Sequence, residues 1–260
     1  MDLIYNFNTL LISKLKWNIM TMMNRYSSSV KVFDEPHTPY TLRKELKANG
    51  VNKNKFIDPN YSDSYLLQIR TIKDLNIKSI LEIGPGDGTV GEYLKKLNIS
   101  YCSIDNSNES KPTILTSLEN LDPTPYAKKY ECVCAFQMLE HSPYENFVQN
   151  IEKMKKMSSK YILISLPYSC FGFNFNLTLH KGQNRKVKTT FSHYFPLNLP
   201  NRKYRTMYQK EFPWAVHYWE IGRMGYPLRK VIKDMESAGL NILNRFHSPN
   251  PFHYFILANV

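Results

Sequence analysis

The stretch Ile80-Leu81-Glu82-Ile83-Gly84-Pro85-Gly86-Asp87-Gly88-Thr89 joins one carboxylate to three glycines at two-residue spacing. Its first residues read as a strand, its glycines as a tight turn, and the residues from Thr89 as a helix. Glycines in such a turn let a ligand lie directly on the main chain. Two ligand classes compete for the loop. A dinucleotide site needs G-x-G-x-x-G, because its pyrophosphate sits on the helix N-terminus. Counted from Gly84 and Gly86, the third glycine of that pattern falls at position 89, where Thr89 stands. Glu82 precedes the first glycine by two residues; it would repel a pyrophosphate but suits the α-ammonium of a methionyl group. Asp105 closes the next strand, where a carboxylate can accept hydrogen bonds from both hydroxyls of a ribose. That position serves either ligand class.

Two histidines are candidates for proton transfer. His141 follows the fourth strand, at the carboxyl edge where ligands of open α/β sheets bind. His217 lies in Trp214-Ala215-Val216-His217-Tyr218-Trp219-Glu220. An imidazole with a pKa of about 6.5 suits a base at neutral pH; the competing reading of each is a histidine that only packs or hydrogen-bonds. No metal site is expected. Cys132 and Cys134 are read as pointing to opposite faces of one strand, and their spacing is too short for a usual zinc pair. With Cys102 and Cys170 they are expected as reduced thiols of a cytoplasmic protein.

These groups need a scaffold, and from Tyr61 onward helical and strand patterns alternate as a parallel sheet requires. Helices fit Ser64–Leu75 and Thr89–Leu97. Strands fit Ser79–Ile83, Ser100–Ile104, Thr113–Leu115, Glu131–Phe136 and Tyr161–Leu166. The fourth is a near-continuous apolar run, as for a strand buried on both faces. Ser142-Pro143-Tyr144-Glu145 reads as a helix start, with Ser142 as N-cap and Glu145 closing a capping box. A last helix from Pro227 to Ala238-Gly239 precedes two strands, Asn241–Phe246 and His253–Ala258, suited to an antiparallel hairpin.

Taken in order, Glu82-x-Gly84-x-Gly86-x-Gly88, Asp105 and Phe136-Gln137-Met138-Leu139-Glu140-His141 resemble the class I S-adenosylmethionine-dependent methyltransferases of small-molecule type. The likeness covers Tyr61 to Leu166, and the closing hairpin agrees with it. It implies an α/β fold: a doubly wound, seven-stranded, mostly parallel sheet, antiparallel only at its last-but-one member. The cofactor it implies is S-adenosylmethionine. By resemblance, Gly84, Pro85, Gly86 and Gly88 would cradle the methionyl and ribose part, with Glu82 holding the loop or the ammonium. Asp105 would meet the ribose, with Asn106 beside it as a further cofactor-binding residue. Ser117 and Leu118 would border the adenine, Ser117 standing near where many members carry an aspartate. Phe136 and Gln137 would line the cofactor. The family has no universal catalytic residue, because the sulfonium is already a good electrophile and the protein mainly aligns the acceptor.

Residues 61–260 are expected to form the methyltransferase domain, residues 1–60 a partly helical extension, and residues 168–226 a substrate lid inserted after the fifth strand. The insertion is rich in aromatics and carries nine basic against two acidic side chains. It suggests a small-molecule or glycan-like acceptor, of acidic or sugar-like character. The whole chain, 260 residues at net charge +12, invites a nucleic-acid reading. Its joint richness in Lys, Asn, Ile, Tyr and Phe offers a duller cause, and Ser142-Pro143-Tyr144 only partly echoes the base-methylating motif. A non-catalytic cofactor-binding partner protein is the other alternative. No run approaches the roughly 18 apolar residues of a membrane span, and the N-terminus lacks the pattern of a signal peptide. Leu10–Met20 could form an amphipathic helix, and Thr41–Ala48 a further one.

Overall fold

The computed structural model describes residues 59–181, 185–200 and 217–260. Contacts along the chain divide it into Met1–Thr38 and Pro39–Val260. The first unit, the segments Leu10–Met20 and Thr41–Ala48 for which the sequence offers helices, and residues 201–216 of the insertion lie outside the described residues.

Helix α1 (Pro59–Asp74) leads into β1 (Ser79–Ile83), α2 (Thr89–Lys96), β2 (Ser100–Asp105), β3 (Ile114–Leu115) and β4 (Tyr130–Phe136). Then come α3 (Phe147–Met157), β5 (Ser158–Pro167), β6 (Cys170–Lys181), β7 (Arg185–Pro196), α4 (Leu228–Ser237), β8 (Asn241–His247) and β9 (His253–Asn259). Seven of these strands form one sheet in the order β3-β2-β1-β4-β5-β9-β8. The strands up to β5 run parallel, and β9 is antiparallel to both its neighbours. This is the doubly wound α/β sheet that the sequence implied, with its antiparallel member last but one.

Each central strand is buried on both faces, so its alternate residues feed two separate cores. Ile80, Cys132, Cys134 and Phe136 pack with α1 and α2, whereas Leu81, Ile83, Val133 and Ala135 pack with α3 and α4. Cys132 and Cys134 therefore share a face, which corrects the opposite-face expectation: residues two apart on a strand point the same way. All four cysteines are free thiols.

Two further expectations change. The capping box at Ser142 does not form. Ser142 and Pro143 are extended, a short turn of 3-10 helix spans Tyr144–Asn146, and α3 starts only at Phe147. The reason is tertiary: the Ser142 carbonyl accepts the Trp219 indole N–H at 3.2 Å, and its hydroxyl accepts from the Asn146 amide at 3.1 Å. The insertion, expected as a substrate lid with no strand assigned to it, contains a long antiparallel hairpin, β6 against β7, paired from Cys170↔Pro196 to Lys181↔Arg185. Phe171, Phe173 and Phe175 alternate along one of its faces opposite Phe195, His193 and Phe191, and those phenylalanine rings are exposed.

After the insertion the chain docks back on the domain through Trp219. This side chain is fully buried among Tyr144, Phe147 and Tyr226, with ring centroids at 4.7, 5.2 and 6.1 Å. Trp219→Ala is expected to cost about 3–5 kcal/mol of stability, the range for deleting a buried Trp or Phe. Chemical denaturation would show this as a lowered midpoint with an unchanged slope.

Candidate active site

The site is built along the carboxyl edge of the sheet, from the segments that follow β1, β4 and β5 and from the β8–β9 turn. At β1, Gly84, Gly86 and Gly88 have φ of +68°, +60° and +73°, the left-handed region that side chains disfavour. The loop is pinned by Gly84 N–H donating to the Ile104 carbonyl (2.9 Å) and Gly88 N–H to the Pro85 carbonyl (3.0 Å). A Cβ on Gly84 would sit 2.6 Å from Met138 Cγ, whereas at Gly86 and Gly88 it would meet nothing within 4 Å. One side of the loop is thus packed on the β4 segment and the other is open, a cradle of bare main chain. Pro85 is buried beneath it.

Glu82 is buried on the α1–α2 face, where the Tyr101 hydroxyl donates to its carboxylate. Gly91 on α2 makes room for that ring: a Cβ there would lie 2.3 Å from it. Burial pushes the Glu82 pKa up to about 7, against the lowering by Tyr101 and with a further rise from Asp87. In the free protein this favours the neutral acid, so its contribution to stability is present below the unfolded value of about 4.5 and is lost as pH rises through 7. A cation on the loop has the opposite preference. S-adenosylmethionine binding is expected to release a proton near pH 6.5 and to weaken about tenfold per pH unit below 7. Calorimetry in buffers of different ionisation enthalpy checks both.

Asp105 at the end of β2 accepts the Ser107 N–H at 2.9 Å and the Ser110 hydroxyl at 3.2 Å, one on each carboxylate oxygen. Each oxygen keeps acceptor capacity for a ribose hydroxyl. Asn106 beside it is exposed. The Ser117 hydroxyl accepts the Asn120 N–H at 3.2 Å, and the Leu118 side chain is wholly buried in the core while its carbonyl accepts the Lys153 ammonium at 3.1 Å. Phe136 is nearly as buried, 6.1 Å from Phe255. Gln137, at φ +51°, is half-buried and donates to Ser165 from its main-chain N–H (2.9 Å) and its side-chain amide (3.4 Å). An open glycine cradle, a carboxylate for an ammonium and a second for a ribose fit S-adenosylmethionine.

The two candidate histidines, distant in sequence, meet at 5.0 Å between ring centroids. The Tyr218 N–H donates to the Glu140 carbonyl at 2.8 Å, tying the returning chain to the β4 segment. His217 Nδ1 pairs with Glu220 Oε1 at 3.0 Å, and Glu220 Oε2 accepts Arg223 Nε at 3.1 Å. Burial disfavours a charged His217, but the Glu220 hydrogen bond and the charges of Glu140 and Glu220 outweigh it and raise the pKa. Burial likewise works against the Glu220 carboxylate, and His217 with Arg223 overcome it to lower that pKa. Glu140 is fully buried and its pKa is pushed up to about 7, chiefly by desolvation.

His217, Glu220 and Arg223 also line an open cavity of about 420 Å³ with Tyr168, Ser169 and Phe252. Sequence reasoning missed Glu140, Glu220 and Arg223, although Glu140 and Glu220 stood inside the segments it quoted. A buried carboxylate has no periodic signature, so only its neighbours in space give it away.

A family model described as a methyltransferase domain matches residues 41–244. No curated protein matches the sequence. Among solved structures, the 1,6-didemethyltoxoflavin-N1-methyltransferase of Burkholderia thailandensis is 11% identical, with a TM-score of 0.47 over 88% of this chain and 92% of that one. The magnesium protoporphyrin IX methyltransferase of Synechocystis PCC 6803 is 12% identical, with a TM-score of 0.47 over 84% and 94%. The N-methyltransferase NodS of Bradyrhizobium japonicum WM9 is 11% identical, with a TM-score of 0.49 over 86% and 98%. The weight rests on the family model, which spans most of the chain, and on the strand order and glycine cradle described above. The chain belongs to the class I S-adenosylmethionine-dependent methyltransferases.

Proposed function

We propose that this enzyme methylates a small, anionic or sugar-like acceptor held in the cavity between the segment after β5, the returning end of the insertion and the β8–β9 turn, with His217 or His141 taking up the acceptor's proton. The observation that carries this reading is the His217–Glu220–Arg223 chain opening on that cavity. S-adenosylmethionine supplies the methyl group on a sulfonium: the acceptor's lone pair forms the new bond to carbon as the carbon–sulfur bond breaks, leaving S-adenosylhomocysteine. Glu82 and the Gly84–Gly88 loop hold the methionyl end, and Asp105 with Asn106 the ribose. Ser117 and Leu118 border the adenine, and Phe136 and Gln137 line the cofactor from β4. Glu220 orients His217, which receives the proton the acceptor loses. In this reading residues 61–260 are the catalytic domain and residues 168–226 cover the acceptor.

The nine basic side chains of the insertion support an anionic partner by simple Coulomb attraction. No helix among the described residues is long and apolar enough to cross a membrane, and the free thiols suit a cytoplasmic setting. The test is S-adenosylhomocysteine release measured against a panel of neutral and anionic small acceptors, sugars included. Turnover with an anionic or sugar acceptor that falls as salt is added is the expected result. A clear preference for neutral, apolar acceptors would overturn the acceptor class.

A further inference from the structure

Glu140 presents a problem that the methyl-transfer chemistry leaves unsolved. It is fully buried, and neither oxygen of its carboxylate finds a hydrogen-bond partner beyond its own main chain. A buried carboxylate without partners is costly, and such groups are normally paired or bound to a metal. One ligand atom from each of Glu140, His141 and His217 lies within 4.8 Å of the other two.

We propose that Glu140, His141 and His217 form a divalent-cation site of the zinc type, on the wall of the cavity that His217 lines. Two imidazoles and one carboxylate are a donor set of catalytic zinc, which keeps a further position open. Around zinc at about 2.1 Å, tetrahedral ligands stand roughly 3.4 Å apart, so small torsions of the three side chains close them on an ion. The second shell is already in place. Glu220 engages His217 Nδ1, which leaves Nε2 to the ion, the carboxylate–histidine–metal arrangement that fixes tautomer and ring orientation. Arg223 holds Glu220, and the Tyr218–Glu140 hydrogen bond holds the two ligand-bearing segments together.

This inference rests on reading the cavity as the acceptor's; with both imidazoles on the ion it replaces proton uptake by His217 or His141, and it narrows the acceptor to one that offers an oxygen to the ion. Coordination lowers the pKa of that hydroxyl. Its O–H bond breaks with the proton passing to water, and the oxygen lone pair remains to attack the methyl carbon.

The test uses untagged, chelator-stripped full-length protein titrated with cobalt(II), followed by visible absorption, with zinc as displacer. One saturable equivalent of cobalt, displaced by zinc, is expected. Glu140→Gln and His217→Gln should each weaken binding at least about tenfold and Glu220→Gln by 10–100-fold, while His193→Gln on the hairpin leaves it unchanged. His217 is half-buried, so its variant serves where Glu140→Gln fails to fold. Absence of saturable binding of cobalt or zinc, or binding indifferent to both ligand substitutions, overturns the site. Calorimetry of the same stripped protein with S-adenosylmethionine keeps the readings apart: its failure sinks methyl transfer alone, and a failed cobalt titration sinks the ion alone.

Discussion

Gly86→Arg is expected to remove S-adenosylmethionine binding from a protein that still folds. The glycines of this one loop differ in what surrounds them. At Gly84 a Cβ would strike Met138, so substitution there disturbs packing as well as any ligand. At Gly86 a Cβ meets no protein atom within 4 Å, and the residue is exposed. The space an arginine would enter is the space left for the ligand. Its φ of +60° adds a backbone cost of roughly 1 kcal/mol, a loss a domain of this size withstands. Calorimetry should show affinity falling by about 100-fold or more, the equivalent of about 2.7 kcal/mol, with the thermal midpoint only a few degrees lower. Asp105→Ala should lose about 1.5–3 kcal/mol, the worth of hydrogen bonds to a charged group, and S-adenosylhomocysteine should feel the same loss because it shares the ribose. Undiminished binding in both variants would place the cofactor somewhere other than this loop.

How legible this was in the sequence depends on the range of the interactions. The glycine loop, Asp105 and the seven strands of the sheet follow from local pattern, because a strand buried on both faces needs a continuous apolar run and a main-chain cradle needs glycine. The capping box at Ser142 was equally local and yet failed, since Trp219 reaches Ser142 from far along the chain and takes its carbonyl. The β6–β7 hairpin had a usable signal in the alternation of Phe171, Phe173 and Phe175. Aromatic richness by itself names no element; the period of two is what specifies a strand. The approach of His217 to His141 had no signal at all. It depends on Trp219 seating the returning chain beside α3 and on the Tyr218–Glu140 hydrogen bond, contacts that no spacing encodes.

That approach carries the second large effect. His217→Ala is expected to reduce kcat by about 10²–10⁴, the range for loss of a positioned proton-transfer group, while S-adenosylmethionine affinity stays near that of the unaltered protein. In the proposed arrangement the cofactor contacts come from the segments of β1 to β4, whereas His217 belongs to the returning end of the insertion, so the two functions rest on different parts of the chain. Whether His217 accepts the acceptor's proton itself or holds an ion that does the activating, its imidazole must be neutral. Glu220 and Glu140 raise its pKa, so activity should climb with pH through a limb lying above about 6.5, the ordinary histidine value. Glu220→Gln removes one negative charge and leaves at most a weaker, neutral hydrogen bond. The limb then moves to lower pH even as kcat at its plateau drops, because the ring loses the partner that orients it. A purely structural role for Glu220 predicts a lower plateau with the limb in place. The direction of that shift in the pH profile is therefore the result that separates a proton- or metal-handling His217 from one that merely packs against His141.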